Sequence, residues 1–166
     1  MSQSPPLFTI GADITDDMID YNGHMGVAQY ALLFDRCAEA FYEAVGLGRT
    51  SAENGRGSLF TLEQHTTFRR EVFAGQALLI RLQLLDFDEK RLHYFLTMTD
   101  SASDIVVATN EQLAIHVNMG TRSSDPLPAE ARQRIEEMLP AHDAFGPPKE
   151  AGQVIRIERK RPHTPG

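Results

Sequence analysis

The stretch DYNGHMGVAQYALLFDRCAEAFYEAVG, residues 20–46, decides the fold. From Val27 to about Val45, apolar residues fall at Val27, Tyr30, Ala31, Phe34, Cys37, Ala38, Phe41 and Val45. That is the i, i+3, i+4, i+7 stripe of a helix. Leu32, Leu33 and Ala40 widen the stripe, so the helix is expected to be mostly buried. Gly46 is placed to end it as a C′ glycine. The loop Asp20 to Gly26 therefore sits directly on the N-terminus of a buried helix, and it carries a carboxylate and an imidazole. Unpaired N–H groups and a partial charge of about +0.5 gather at such an end. A developing oxyanion would be stabilised there.

Outward from this stretch the chain reads as strands. Leu7 to Ala12 is a short strand behind a Pro-Pro start, and Asp13 to Met18 is a polar turn whose acids read as solvated charges. Leu47 to Gly57 holds three glycines and reads as a loop. Ser58–Phe68, Gln76–Phe87, Arg91–Thr99 and Ile105–Asn118 follow as strands, with Asp86 to Lys90 as a tight turn. Strands in succession joined by short turns make an antiparallel sheet. Pro128 opens a last helix that should run to about Leu139. One domain over residues 1–140 and a Pro- and Gly-containing extension over 141–166 are expected. Val154 to Ile157 would suit a short edge strand. The basic run Arg156, Arg159, Lys160 and Arg161 reads as a solvated tail. The class is α+β, with a sheet wrapped over one helix.

The chain has 166 residues and a net charge of −7. That size suits one domain with a real core. The acidic balance argues against nucleic-acid and anionic-lipid partners. Cys37, the one cysteine, lies on the apolar stripe, which suits a small core hydrophobe. No Cys-x-x-Cys spacing exists, and the six His share no ligand spacing with acids or thiols, so no metal is expected. The first residues lack a basic or apolar leader, and no apolar run reaches membrane-spanning length. The expectation is a soluble cytoplasmic protein.

The residues Asp20, Gly23, His24, Met25, Ala28 and Tyr30 fit Asp-x-x-Gly-His-Met-x-x-Ala-x-Tyr. This pattern resembles the signature of the 4-hydroxybenzoyl-CoA thioesterase family of hotdog-fold proteins. The longer string ending in Asn22-Gly23-His24-Met25 most resembles the branch that includes betainyl-CoA thioesterases. The likeness continues through Phe60–His65 and Thr121–Ser123. It implies a hotdog fold, an acyl-CoA substrate with no separate cofactor, and a homodimer or homotetramer whose active sites lie between subunits. It also implies that Asp20 is the nucleophile or general base. By motif offset, the Val27 N–H is the oxyanion donor. Family members often carry Asn where this chain has Gly26 and Val27, so a side-chain amide is absent here while the backbone donor is kept.

Other candidates rest on the residues themselves. His24 either ties the loop down through its ring nitrogens, or polarises the thioester carbonyl or orients Asp20. Gly23 supplies an unusual backbone angle or lets a ligand approach, and Asn22, Gly23 and Tyr30 are candidate substrate contacts. Tyr30 also suits a packed aromatic with a bonded hydroxyl. Glu63 and His65 alternate on one strand face, either solvent-exposed or lining the pocket of the opposite subunit. Lys90 and Arg91, at a hairpin tip, are favoured over Arg69, Arg70 and Arg122 as partners for the coenzyme A phosphates. No Gly-x-Ser-x-Gly elbow or P-loop occurs. A hotdog hydratase would need an Asp-to-His arrangement through Asn-Pro, or a His before Phe-Pro-Gly, and neither is present. A non-catalytic acyl-CoA-binding module remains open.

Overall fold

The computed structural model describes residues 7–156. Helix α1 spans Val27–Val45, as its stripe dictates, and Gly46 closes it in the left-handed region at φ 82°. The Gly46 N–H bonds the Glu43 carbonyl at 3.0 Å. One face of α1, built on Leu33, Phe34, Cys37, Phe41 and Val45, is buried. The expectation of burial fails on the second apolar face. Val27 is 68% exposed and Leu32 41%, and Ala31 is exposed too. The sheet curls over one side of α1, and nothing among the described residues covers the other.

Six strands form that antiparallel sheet: β1 (Phe8–Asp13), β2 (Ser58–Phe68), β3 (Ala77–Phe87), β4 (Arg91–Asp100), β5 (Val106–Asn118) and β6 (Ser123–Ser124). Their order is β1-β3-β4-β5-β2, with β6 paired to β5. On the central strands β3 and β4, alternate residues face the helix side. Leu78, Ile80, Leu82 and Leu84 of β3, and Leu92, Leu96 and Met98 of β4, are all but fully buried there. Cutting one such leucine to alanine would cost about 2–5 kcal/mol. The same face carries a line of polar side chains. Tyr42 and Tyr94 share a hydrogen bond, Tyr94 donates to Gln112 at 2.8 Å, Gln112 donates to Asn110 at 2.6 Å, and Asn110 donates to Thr66 at 2.6 Å. Burial pushes the Tyr42 hydroxyl up to about 12. These groups act as neutral donors in a paired network.

Between α1 and β2 the segment expected as a loop contains α2 (Arg49–Glu53). The Glu43 carboxylate accepts the Thr50 N–H at 3.0 Å, a contact across the turn that periodicity does not signal. Gly57, at φ 154°, lies against the buried His116 ring, where a Cβ would collide with Nε2.

Helix α3 (Ala129–Asp143) runs past the expected end near Leu139, and the boundary set at 140 falls inside it. Pro140 removes an N–H that would serve the Glu136 carbonyl. Glu136 is an exposed residue, on the solvent side of the helix. Beyond Pro140 the buried His142 holds the helix down. β1 pairs β3 only as far as Leu82, and His142 Nδ1 accepts the Leu84 N–H at 2.8 Å just past that point. Gln83 then donates to the carbonyls of His142 and Gly146. The Gly152 N–H reaches Glu111 at 2.7 Å, and Arg69 pairs with Glu150 at 3.4 Å. The extension is thus strapped across the sheet as far as residue 152. Val154 to Arg156 form no strand, and Ile157 lies outside the described residues, as do Arg159, Lys160 and Arg161 of the basic run.

Burial lowers the His142 pKa from its ordinary value of 6.5. Nδ1 must stay unprotonated to accept from Leu84, so the folded state favours the neutral ring. The unfolded chain protonates first as pH falls, and stability should drop as pH falls through about 6.5. Denaturant midpoints at pH 7.5 and 5.5 would show it. His142→Asn keeps an acceptor for Leu84 and should flatten this part of the dependence.

Candidate active site

The loop before α1 is fixed almost entirely by backbone bonds. Asp20 N–H bonds the His24 carbonyl at 2.9 Å, and Gly23 N–H bonds the Asp20 carbonyl at 3.0 Å. Gly23 makes that reversal at φ 81°. Met25, fully buried, donates its N–H to the Val72 carbonyl at 2.7 Å, and Gly26 donates to Met18 at 3.0 Å. Both ends of the loop are therefore anchored to other elements while its middle faces outward. Tyr21, beside Asp20, is 96% exposed.

The Asp20 carboxylate accepts the Asn22 N–H at 2.8 Å through Oδ1, and the Asn22 amide lies 3.5 Å from Oδ2. This Asx turn aims the side chain back at the helix start. A Cβ on Gly26, the N-cap of α1, would lie 3.5 Å from the Asp20 Cβ and 3.8 Å from Oδ2. No side chain caps α1. The N–H groups of Val27 and Ala28 take no partner among the described residues. A carboxylate and two unpaired donors thus share one small region, open to solvent in the single chain. His24 Nδ1 lies 3.3 Å from the Met25 carbonyl, which suits a donated hydrogen bond within the loop.

Tyr30 stands one turn further along α1. Its ring meets Phe68 edge-on at 5.1 Å, and its hydroxyl donates to the Arg70 carbonyl at 3.4 Å. Burial, then the charge of Glu71, raises its pKa. It is a packed aromatic with a bonded hydroxyl.

Residues 14–135 match the family described as the Thioesterase-like superfamily. The chain belongs to that superfamily. It is 35% identical over 154 residues to a betainyl-CoA thioesterase of Pseudomonas aeruginosa, covering 93% of this chain and 97% of that one. It is also 35% identical over 159 residues to an L-carnitine dehydrogenase/betainyl-CoA thioesterase of Rhizobium meliloti. There the match covers 96% of this chain but spans only 32% of the relative. Among solved structures, a hypothetical protein of Staphylococcus aureus in complex with CoA superimposes with a TM-score of 0.86 at 34% identity. That match covers 92% of this chain and 96% of the other. The fold is the hotdog fold.

The remaining sequence candidates lie elsewhere. Glu63 and His65 do share a face of β2, but it is the face turned away from α1. There they pair in register with Leu113 and Glu111. With Asp88, Arg91, His93 and Gly152 they line an open cavity of about 470 Å³. His93 and Glu111, which the sequence reading passed over as a pair, lie 2.7 Å apart in it. Their separation of 18 residues is bridged only by strand register, so no local spacing signals it. Asp88 accepts the Arg91 N–H and its guanidinium at 2.6–2.8 Å, and Arg91 holds the Asp88 carboxyl down at about 2. Arg91 is therefore already neutralised by a neighbour in its own hairpin. Lys90 is half-buried, with its backbone bonded to Asp88 and His116. No group of three or more metal-ligating side chains occurs among the described residues.

Cys37 is buried against β3, and burial pushes its thiol up to about 12. Native protein should resist an aromatic disulfide reagent at pH 8 and react with one equivalent after denaturation. Rapid labelling of the folded protein would contradict this packing.

Proposed function

We propose that this acyl-CoA thioesterase hydrolyses betainyl-CoA, with Asp20 as the reacting carboxylate and the Val27 N–H as oxyanion donor. The observation that carries the reading is the Asp20 carboxyl resting against the uncapped start of α1. Hydrolysis at a thioester needs an anion near the carbonyl carbon and a donor near the carbonyl oxygen. As general base, Asp20 takes a proton from water while the water oxygen bonds the carbonyl carbon. Negative charge moves to the carbonyl oxygen, against the Val27 N–H. Collapse breaks the C–S bond, and the proton held by Asp20 passes to the departing thiolate. As nucleophile, Asp20 would instead form an acyl anhydride that water then cleaves. Both routes use the same two groups. The acyl group is drawn from the relatives at 35% identity, whose names give betainyl-CoA.

Asp20→Asn keeps the size and most hydrogen bonds but removes the base. Its kcat should fall at least about a hundredfold, the scale of losing a general base, or about 2.7 kcal/mol in the barrier. KM should change little. His24→Ala should be milder in kcat. An Asp20→Asn variant working at near wild-type rate would remove Asp20 from the mechanism. A wild-type protein that binds acyl-CoA without releasing thiol would favour the binding module instead.

The site is also proposed to be completed by a second copy. β2 is an eleven-residue edge strand, and Phe60, Leu62 and Phe68 on it are exposed. Val27 and Leu32 add apolar surface on α1. Long apolar edges of this kind are normally paired. Light scattering at micromolar concentration should give at least a dimer, and Leu62→Lys, at the bulge of β2, should shift it towards monomer with loss of activity. A clean wild-type monomer would end this part of the reading.

A further inference from the structure

The proposed acyl group carries a fixed positive charge one methylene from the carbonyl carbon. Whatever recognises that charge must therefore stand within a few ångströms of the Asp20 and Val27 position. The two groups that suit it come from the end of β2 and the loop after it. Side chains on a helix lean towards its N-terminus, so the Tyr30 ring lies over the first turn of α1. Phe68 packs edge-on against that ring at 5.1 Å while remaining 48% exposed, so part of its own surface is free. The next residues are tied to the motif on both sides of Glu71. The Arg70 carbonyl accepts the Tyr30 hydroxyl at 3.4 Å, and the Val72 carbonyl accepts the Met25 N–H at 2.7 Å. Glu71 is exposed between those two anchors, close enough for its charge to act on Tyr30. Of the arginines before it, Arg69 is turned to Glu150.

Resting on the betainyl-CoA reading, we infer that Phe68 and Glu71 form the recognition site for the trimethylammonium end of the acyl group, the ring offering its face and the carboxylate its charge. Quaternary ammonium groups bind aromatic faces, with energies that grow as water is excluded. A second subunit against Val27, Leu32 and Phe68 would supply that exclusion. Neither residue falls in the Asp20–Gly46 motif, and neither touches the thioester. They set specificity rather than rate.

The test compares betainyl-CoA with 3,3-dimethylbutanoyl-CoA, in which carbon replaces the ammonium nitrogen at the same shape. The readout is the ratio of kcat/KM for the two substrates, in wild type, Phe68→Leu and Glu71→Gln. Wild type should favour the cationic substrate, and each variant should lower the ratio about tenfold, chiefly through KM. Glu71→Gln is an exposed, isosteric change, so it guards against a folding defect in Phe68→Leu. Glu71→Lys should lower the ratio further. An unaltered ratio in Glu71→Gln and Phe68→Leu would overturn the inference while leaving the thioesterase reading intact. A wild-type enzyme that hydrolyses the neutral ester but not betainyl-CoA would overturn the substrate reading and this inference together.

Discussion

The burial of one face of α1 in the concave side of the sheet is the constraint on which the rest depends. Leu33, Phe34, Cys37 and Phe41 are all but fully buried, and close packing of this kind resists sliding or rotation of the helix. Its N-terminus is then a fixed point, and the loop before it inherits the position. Gly26 keeps that end uncapped. A serine, threonine or aspartate there would satisfy one of the first N–H groups and gain about a few tenths of a kcal/mol of helix stability over glycine. The chain forgoes that gain where a ligand oxygen is proposed to bind. The loop itself is held by backbone bonds to Met18 and Val72, so its one carboxylate is left to Asn22 and to solvent.

How much of this was legible in the sequence depended on how far apart the cooperating residues lie. α1 and its cap could be read because the signal is contiguous and strictly periodic. β2 was read at its observed limits, Ser58 and Phe68, because the run is bounded by the glycine-containing segment ending at Gly57 and by Arg69-Arg70. α2 was missed because five residues give no period, and what supports it is the Glu43 contact with Thr50. The length of α3 was missed because Pro140 is a sound local stop signal that the burial of His142 overrides. Exposure of Val27 and Ala31 was misread because an apolar stripe does not say which side of it the same chain will cover. In the proposed site, Asp20, Asn22, Gly23, His24 and Val27 could be grouped because they are neighbours in sequence. Phe68 and Glu71, the residues proposed to join them, could not, since only β2 and the Met25 bond to Val72 carry them towards the helix.

The charged groups divide in a way that clarifies the two sides of the sheet. On the face away from α1, charges are largely partnered: Asp88 with Arg91, His93 with Glu111, Arg69 with Glu150. Exposed ion pairs such as Asp88–Arg91 and Arg69–Glu150 contribute little stability, roughly 0–1 kcal/mol each. Arg69–Glu150 and the Gly152 N–H on Glu111 hold the C-terminal strap on the sheet. At the start of α1 the balance differs, because among the described residues no cationic side chain is bonded to Asp20 or Glu71. A region with unmatched acids at a helix N-terminus is poorly suited to an anionic acyl group and well suited to a cationic one.

On the proposed betainyl-CoA reading, that balance bears on catalysis as well as on binding. A trimethylammonium group about 5 Å from Asp20 gains about 3 kcal/mol at an effective dielectric constant of 20, and the partial charge at the helix start opposes it by about half as much. The ground state therefore gains only modestly from Asp20 itself, and a second acid, Glu71, is what tips the position towards the cation. As the carbonyl oxygen becomes negative, however, it develops next to both the ammonium and the helix N–H groups. Both then attract it, and the interaction strengthens only as the transition state forms, which is the condition for raising kcat rather than merely tightening binding. A neutral acyl group of the same shape would keep the helix contribution and lose the other. On the proposed betainyl-CoA reading, the substrate's own charge would be part of the oxyanion stabilisation. The absence of an additional side-chain amide at Gly26 and Val27 is then a tolerable departure from the family pattern rather than a defect.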